Sequence, residues 1–171
     1  LRTIIEDISE EEITSNFANR LQKGNTEKSI SKTLNYLLHD RLTKIEWIAK
    51  PYIFKNSKFK KSSWSLDFHK KNVGIEVVFH HERFMTWKLV KTFLASQPNE
   101  IQKAFEIKMA IFIFVTEEMM DVGGFDQGII TFEKAKHYAA VLSNFLACPT
   151  IFIGLEAPKT FHIKHKKDES K

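Results

Sequence analysis

The chain is poor in the residues that mark secreted, membrane-spanning or low-complexity proteins. Its 171 residues include one cysteine, four prolines and six glycines. Because Cys148 has no partner for an intrachain disulfide, we expect a reduced, cytoplasmic protein. No apolar run approaches the roughly 18 residues of a membrane helix, and the start, LRTIIEDISEEE, does not have the charged-then-apolar order of a signal peptide. We therefore expect no membrane partner.

Composition predicts a single globular domain and allows a polyanionic partner. Hydrophobic residues make up 43% of the chain and aromatic residues 12%, which is enough for one core. Lysine and arginine outnumber the acidic residues by 26 to 21, which gives a formal net charge of +5. This excess is compatible with nucleic acid as a partner but does not establish one. We expect the domain to span residues 1–158, followed by a basic polar surface tail over residues 159–171.

The hydrophobic period changes from helical to strand-like near Lys44. The first forty residues predict two helices, the second running from about Thr26, its expected N-cap, to Leu42. The patterns after them predict a strand in IEWIAKPYIF broken at Pro51, a basic loop, strands in SWSLDFH and VGIEVVFH, a helix in RFMTWKLVKTFLASQ, a buried strand in EIKMAIFIFVTEE, a glycine-marked loop in DVGGFDQG, a helix over residues 131–146 and a buried strand in PTIFIGL. This order indicates an α/β fold, with a central mixed β-sheet, an antiparallel hairpin and helices on both faces.

Two acidic residues lie in the apolar hairpin of residues 64–80. Strand alternation places Glu76 on one face of its strand and Asp67 on one face of the partner strand, so the two are near neighbours if those faces coincide. Close carboxylates stay ionised at low cost only with a positive charge between them, and Mg²⁺ prefers such oxygen ligands. The pair is therefore a candidate magnesium site for phosphodiester chemistry. The spacing alone favours a simpler alternative, solvated edge residues or partners of Lys70 and Lys71, because an aspartate followed by a glutamate is common by chance.

A family resemblance favours the metal site. DFHKKNVGIEVVF, the polar pair after it and the helix opening RFMTWKLVKTF resemble the catalytic core of the BglII and BstYI family of type II restriction endonucleases, within the broad PD-(D/E)xK nuclease group. TLNYLLHDRLTKIEW resembles the family's helix before the site, DVGGFDQGIITFE its second DNA-reading loop and PTIFIGLEAP its closing strand. The likeness runs from about Thr33 to Pro158. It implies a restriction-endonuclease-like core in a Mg²⁺-dependent homodimer that cuts both strands of a short palindromic DNA site, commonly with a GATC centre.

The resemblance assigns metal and catalytic roles to individual residues. Asp67 and Glu76 become the metal ligands, and the backbone carbonyl of Val77 is a third candidate ligand. Asn35 lies where the family has a polar residue that supports the site, and its helical spacing places it along the packed edge of its helix. A surface asparagine fits the same pattern equally well.

Val78 departs from the family pattern at a catalytic position. The wider group usually has lysine here and the closest relatives have glutamine or glutamate, which help to position the attacking water. Because valine has no polar group, this task falls to the metal, to the substrate phosphate or to another side chain, with Lys70, Lys71 and Lys88 nearest in sequence. Two alternatives stay open: a catalytically weak or inactive DNA-binding relative, and a nuclease of the same fold that acts in repair without sequence preference.

Two segments carry the DNA contacts that the resemblance predicts. His80 and His81 precede the helix expected in the major groove, where His81 is expected to contact a base edge and Arg83 a phosphate or a guanine. Neighbours on a strand point to opposite faces, so the two histidines are poor candidates to chelate one metal ion. In the second loop, Asp126 and Gln127 have the chemistry for base reading, glutamine through a bidentate pair with adenine.

Three further features bear on partners. The basic loop with Lys58, Lys60 and Lys61 fits phosphate contacts, although lysine-rich loops are often only solvated. The helix that begins near Phe84 has apolar residues on more than one face, which leaves room for a dimer contact, since a palindromic site calls for a two-fold protein. A sequence-specific nuclease needs its host sites protected, so a cognate DNA methyltransferase is the expected genetic partner.

Overall fold

The computed structural model contains a five-stranded mixed sheet with helices on both faces, which confirms the predicted fold class. It describes residues 1–98, 102–141, 143, 146 and 148–163. The strands lie in the order β1 (Ile48–Ala49), β2 (Phe68–Lys70), β3 (Val73–Val77), β4 (Met109–Val115) and β5 (Thr150–Leu155). Antiparallel pairing joins β1 to β2 and β2 to β3, whereas β3, β4 and β5 pair in parallel. Within the described part of the chain, no helix is long and apolar enough to cross a membrane.

Two hydrophobic cores lie on opposite faces of this sheet. The first contains residues of α2 (Glu10–Gln22), α3 (Ser31–Lys44) and α5 (Glu117–Val122), with the short α1 (Arg2–Glu6) packed against it; the second contains residues of α4 (Phe84–Ser96) and α6 (Phe132–Val141). Strand β4 contributes alternately to both: Ile111 and Ile113 to the first core, Phe112 and Phe114 to the second. Its continuous apolar run is therefore that of a strand buried on both faces, as predicted.

The N-terminal region forms three helices where the sequence analysis predicted two. Ser9 separates α1 from α2, because its hydroxyl oxygen accepts a hydrogen bond from the Glu12 N–H at 3.1 Å and caps the second helix. The predicted N-cap of α3 at Thr26 is also wrong. That helix begins only after Ile30, whose own N–H donates to the Gly123 carbonyl at 3.1 Å. A tertiary contact therefore sets the start of α3.

The segment between α3 and the hairpin is less regular than predicted. Strand β1 has only two residues, because Lys50 adopts a left-handed backbone conformation with φ of 52° immediately before Pro51. The basic loop follows with two 3₁₀ turns, over Ser57–Phe59 and Ser62–Trp64. The chain therefore turns out of the sheet between β1 and β2.

Strand β2 also begins later than predicted, at Phe68. Strict alternation does not hold before it, since Leu66 packs in the second core and Phe68 in the first. A two-residue turn then joins Lys70 to Val73, with Lys71 at a φ of 54°. The hairpin is therefore short and tightly defined where the acidic pair lies.

The C-terminal half differs from the prediction at two elements, α5 and β5. Helix α5 was not predicted; Thr116 caps it by accepting a hydrogen bond from the Met119 N–H at 3.1 Å. Strand β5 is an edge strand rather than a buried one, and Ile151 is 46% exposed. Helix α6 is described over Phe132–Val141, and the rest of the predicted helix lies partly outside the described residues.

The first residues of the predicted surface tail contact the folded domain. The carboxylate of Glu10 accepts hydrogen bonds from the N–H groups of Lys159 and Thr160, both at 2.8 Å, and Ile163 packs against the first core. Residues 159–163 therefore pack along the surface of the domain. The remainder of the predicted tail, residues 164–171, lies outside the described residues.

Candidate active site and DNA-contact cleft

The hairpin register brings the two predicted carboxylates together. Phe68 pairs with Ile75 and His69 with Gly74. Asp67 and Glu76 lie just beyond these pairs, at the open end of the hairpin, where one lysine, Lys88, contacts both carboxylates. Both carboxylates lie on the side covered by α4, and both are buried, with Asp67 9% and Glu76 0% exposed.

The ammonium group of Lys88, on α4, joins the two carboxylates. Its Nζ donates hydrogen bonds to Asp67 Oδ2 at 2.7 Å and to Glu76 Oε2 at 2.5 Å. Of the three lysines that the sequence analysis left open, this is the one that reaches the pair. Lys70 donates instead to a backbone carbonyl at 2.6 Å, and Lys71 lies exposed in the hairpin turn.

Two further lysines complete the cluster, and the sequence analysis missed both. Lys91 Nζ forms an ion pair with Glu76 Oε1 at 2.7 Å, while its hydrogen bond goes to the Ser65 backbone carbonyl at 2.7 Å. Lys50 pairs with Asp67 Oδ1, and its backbone N–H donates to the Asp67 carbonyl at 2.9 Å. We call Asp67, Glu76, Lys50, Lys88 and Lys91 the charged cluster.

A sequence signal for two of these lysines was present on α4. Lys88 follows Met85 by three residues and precedes Thr92 by four, so it lies on the buried stripe of the helix, and Lys91 lies three residues beyond it. All of these side chains are buried in the structure. Lysine in a buried helical stripe calls for a buried acidic partner, which the hairpin supplies.

Burial and neighbouring charge act in opposite directions on the two carboxyl groups. Burial tends to raise the pKa of Asp67, but the charges of Lys88 and Lys50 outweigh it and hold that pKa well below its usual value. Complete burial raises the pKa of Glu76, an effect that Lys88 and Lys91 oppose and that Asp67 reinforces. Glu76 is therefore the carboxylate that depends on an adjacent cation to stay ionised.

The oxygen donors fit a hard divalent cation. Asp67 Oδ2 and Glu76 Oε2 face a common point, since one ammonium group contacts both. The Val77 N–H donates to Asp67 Oδ2 at 2.8 Å and fixes that carboxylate against β3. Among the described residues no group of three or more His, Cys, Asp or Glu side chains converges, so further ligands for Mg²⁺ would be backbone, water or substrate oxygens.

Two residues with predicted catalytic roles do not join the charged cluster. Val78 is fully buried in the second core, and its N–H bonds to the Ile113 carbonyl at 2.8 Å, so it is a core residue of the sheet. Asn35 is exposed, not on the packed edge of α3 as expected, and its Nδ2 donates to the Ser31 carbonyl one turn earlier at 2.9 Å. Neither side chain presents a polar group to the carboxylates.

The two segments predicted to contact DNA are bonded to each other. The Glu82 N–H donates to the Gly128 carbonyl at 3.0 Å, and His81 forms an isolated antiparallel bridge with Ile129. Gly128 allows this approach, because a Cβ there would lie 2.8 Å from His81 Nε2. The start of α4 and the second loop therefore form one continuous surface.

An open cleft of about 660 Å³ lies on this surface. Three of the predicted DNA-contact residues line it: His81, Arg83 and Gln127. Helix α6 adds residues that the sequence analysis missed, among them Lys134 and His137. Four of these five side chains carry or can gain positive charge, which suits a polyanionic ligand.

The other predicted DNA contacts lie around this cleft or apart from it. His80 lies near the charged cluster with its side chain only partly covered. This partial burial and the Lys88 charge lower its pKa. The Asp126 carboxylate accepts a hydrogen bond from the Gly128 N–H at 2.7 Å and so holds its own turn. The side chains of three lysines in the basic loop are exposed, as expected: Lys58, Lys60 and Lys61.

Comparison of the sequence with known protein families identifies the family of this chain. The model of the restriction endonuclease BglII/BglIII family matches residues 1–155. The chain belongs to the BglII/BglIII restriction endonuclease family. No curated protein matches it at the level of sequence.

Two solved structures of BglII share the family fold. Restriction endonuclease BglII complexed with a DNA 16-mer aligns with a TM-score of 0.60 and 22% identity, over 74% of this chain and 56% of that chain. Free BglII aligns with a TM-score of 0.52 and 18% identity, over 91% of this chain and 76% of that chain. At these identities the likeness establishes the fold alone. The chain thus spans little more than half the length of the DNA-bound BglII chain.

Proposed function

We propose that the chain acts as a Mg²⁺-dependent type II restriction endonuclease, which hydrolyses phosphodiester bonds in both strands of a short palindromic DNA site. The observation that carries this proposal is the Asp67–Glu76 pair. The two carboxylates are buried side by side and bridged by the ammonium group of Lys88, in a chain of the BglII/BglIII family. Two such carboxylates cost free energy in any role that does not bring a cation to them. In a nuclease, the two carboxylates bind the metal ion that the reaction needs, which accounts for this costly arrangement.

The residues to which this proposal gives a role form two groups. Asp67 and Glu76 would hold Mg²⁺, with the Val77 carbonyl as a candidate third ligand, and the bound ion would stabilise charge on the phosphodiester and lower the pKa of its water. The cleft beside them would contact DNA, with His81 and Gln127 at base edges. The BglII structure of the same fold that is complexed with a DNA 16-mer supports DNA as the ligand.

A homodimer is part of this proposal, and the outer face of α4 is its best-supported contact. Four apolar side chains on that face are between 37% and 45% exposed: Phe84, Trp87, Val90 and Phe93. Their spacing of three residues forms one stripe, opposite the buried stripe that carries Lys88. A contiguous apolar stripe on a helix that borders the active site suits a two-fold partner for a palindrome.

Three finer expectations belong to the same proposal. They are a GATC-centred recognition site, a cognate DNA methyltransferase that protects host DNA, and a cytoplasmic location. The first follows from the family resemblance, the second from the need of a sequence-specific nuclease for protected host sites, and the third from the single cysteine.

A second candidate function is DNA binding without cleavage, and the burial of Val78 in the core is the observation that favours it. In that case the chain binds duplex DNA in a salt-dependent manner that Mg²⁺ does not change. The charged cluster then has only a structural role.

Digestion of a phage genome followed by sequencing of the cut ends separates these functions. The restriction endonuclease predicts that all ends share one short palindrome and that EDTA abolishes cutting. Random ends, or a preference for existing termini, would instead indicate a repair nuclease. Intact DNA together with a retained gel shift would indicate the binding protein.

A further inference from the structure

The charged cluster holds more positive charge than its carboxylates need. Three ammonium groups, those of Lys50, Lys88 and Lys91, contact the two carboxylates of Asp67 and Glu76. The Lys50 side chain is 68% exposed, whereas those of Lys88 and Lys91 are 9% and 7% exposed. Burial of an ammonium group costs free energy even when it is paired. The excess charge therefore needs an explanation.

A purely structural role does not explain why the ammonium group of Lys88 is buried in this cluster. Lys91 and Lys50 each pair with a different carboxylate and already balance the charge of both. Lys88 lies on the same buried stripe as Met85 and Leu89, where an apolar side chain packs without a desolvation cost. A divalent cation at the carboxylates makes the positive excess larger still. Such an excess suits a phosphodiester, which gains negative charge as water attacks it.

We propose that Lys88 is a catalytic residue that contacts the scissile phosphate, an inference that rests on the nuclease function proposed above. Its ammonium group donates a hydrogen bond to a non-bridging phosphoryl oxygen and stays protonated throughout. Because an ammonium group has three N–H donors, Lys88 keeps a carboxylate contact while it makes this bond. Helix α4 thereby supplies the polar group that β3, with valine at position 78, does not supply.

The reaction that Lys88 assists is a simple hydrolysis. The oxygen of a water molecule forms a bond to phosphorus as the bond from phosphorus to the 3′-oxygen breaks. The proton released by that water passes to solvent, and the 3′-oxygen takes up a proton from solvent. Lys88 offsets the negative charge that develops on the phosphoryl oxygens between these events.

The test compares wild type with Lys88→Met and with Lys103→Met as a matched control. Methionine keeps most of the side-chain length but removes the ammonium group. Lys103 is also buried, at 5% exposed, but its ammonium group donates to the backbone carbonyls of Leu94 and Ala95. Under single-turnover conditions at saturating Mg²⁺, we expect cleavage by Lys88→Met to fall about 10²–10³-fold and that by Lys103→Met to change less than about threefold.

Two binding measurements separate a catalytic role from a structural one. Calorimetric titration with Ca²⁺ is expected to show no weaker binding in Lys88→Met, because the substitution removes a cation that competes for the carboxylates. Gel-shift affinity for DNA in Ca²⁺ is expected to stay within about threefold of wild type, because the lost contact forms mainly in the transition state. A structural lysine would lower thermal stability and DNA affinity together with the rate.

A rescue variant tests the same role from strand β3. Val78→Lys in the Lys88→Met background returns an ammonium group on the β3 face that carries Glu76, and it should restore cleavage at least about tenfold. A folded double variant that cuts no faster than Lys88→Met would overturn the proposal. A single variant within about threefold of wild type, or one fully recovered by more Mg²⁺, would also overturn it. If folded wild type cuts no DNA, the nuclease function fails and the role of Lys88 fails with it.

Discussion

At the residue scale, the hairpin carboxylates depend on side chains from outside the hairpin. Asp67 accepts hydrogen bonds from the Lys88 ammonium group and from the Val77 N–H, and it forms an ion pair with Lys50. Removal of one member of a buried ion pair leaves the other uncompensated, which costs more than the pair contributes. Stability therefore reports on the charged cluster without any metal or DNA.

Asp67→Asn is expected to lower the free energy of unfolding by about 3–5 kcal/mol, because it leaves the buried ammonium group of Lys88 with a single carboxylate partner. Urea denaturation followed by circular dichroism measures this loss. Asp7→Asn, at an exposed residue, is the control and should cost less than about 0.5 kcal/mol.

The double variant Asp67→Asn/Lys88→Met checks the cause of that loss. It should be more stable than Asp67→Asn alone, because it removes the cation that lost its partner. Equal or lower stability of the double variant would show that Asp67 stabilises the fold through other contacts.

At the scale of elements, ionic contacts fix how the N-terminal helices join. The Arg20 side chain on α2 donates to both oxygens of Glu27, at 2.6 to 3.0 Å, and the Glu27 side chain is only 2% exposed. The Arg20 contact lowers the pKa of Glu27 against the opposing effect of burial. This ion pair joins α2 to the segment between α2 and α3, where the sequence analysis had wrongly placed the start of α3 at Thr26.

Glu27→Gln is expected to lower the free energy of unfolding at pH 7 by about 1–3 kcal/mol, because it weakens a charged hydrogen bond. Since the folded-state pKa of Glu27 is depressed, its contribution is complete above the unfolded-state pKa and is lost as the pH falls through the folded-state value. The difference in stability between wild type and variant should therefore shrink in acid. A difference that does not depend on pH would contradict this assignment.

Gly128 is the second element-scale contact, and its role concerns position rather than stability. A Cβ at this residue meets the Nε2 end of the His81 ring at 2.8 Å and the Asp126 carboxylate at 2.9 Å. Both are ends of side chains, so Gly128→Ala should change the free energy of unfolding by less than about 1 kcal/mol. It should displace His81 and weaken DNA binding in gel shifts. If His81 reads DNA, the effect of Gly128→Ala should largely disappear in a His81→Ala background.

Particular elements show what the sequence could predict. The apolar run of β4 and the alternation around Glu76 depend on local period, and both were predicted. The choice of Lys88 among three lysines depends on how α4 packs against the hairpin, which no local pattern contains. The contact of Lys50 with Asp67 depends on the left-handed backbone conformation that Lys50 itself adopts immediately after β1. Ser9, by contrast, has the local spacing of a helix N-cap, and it was overlooked.

At the scale of the whole molecule, the apolar stripe on α4 predicts self-association. Val90→Glu places a charge in the middle of this stripe and should convert a dimer into a monomer, as sedimentation velocity can measure. Ile151→Glu on edge strand β5, also at an exposed apolar residue, is the matched control and should leave the sedimentation coefficient unchanged. Equal effects of both substitutions, or a wild type that is monomeric at all concentrations, would contradict the α4 interface.

The most direct measurement for the whole account is cleavage of supercoiled plasmid with Mg²⁺ by wild type, Glu76→Gln and Glu118→Gln. Glu76 is the fully buried carboxylate of the candidate metal site, whereas Glu118 is exposed on α5. We predict discrete fragments from wild type and from Glu118→Gln, and intact plasmid from Glu76→Gln at every Mg²⁺ concentration. Cleavage by Glu76→Gln at the wild-type rate would contradict the assignment of the Asp67–Glu76 pair as a nuclease metal site.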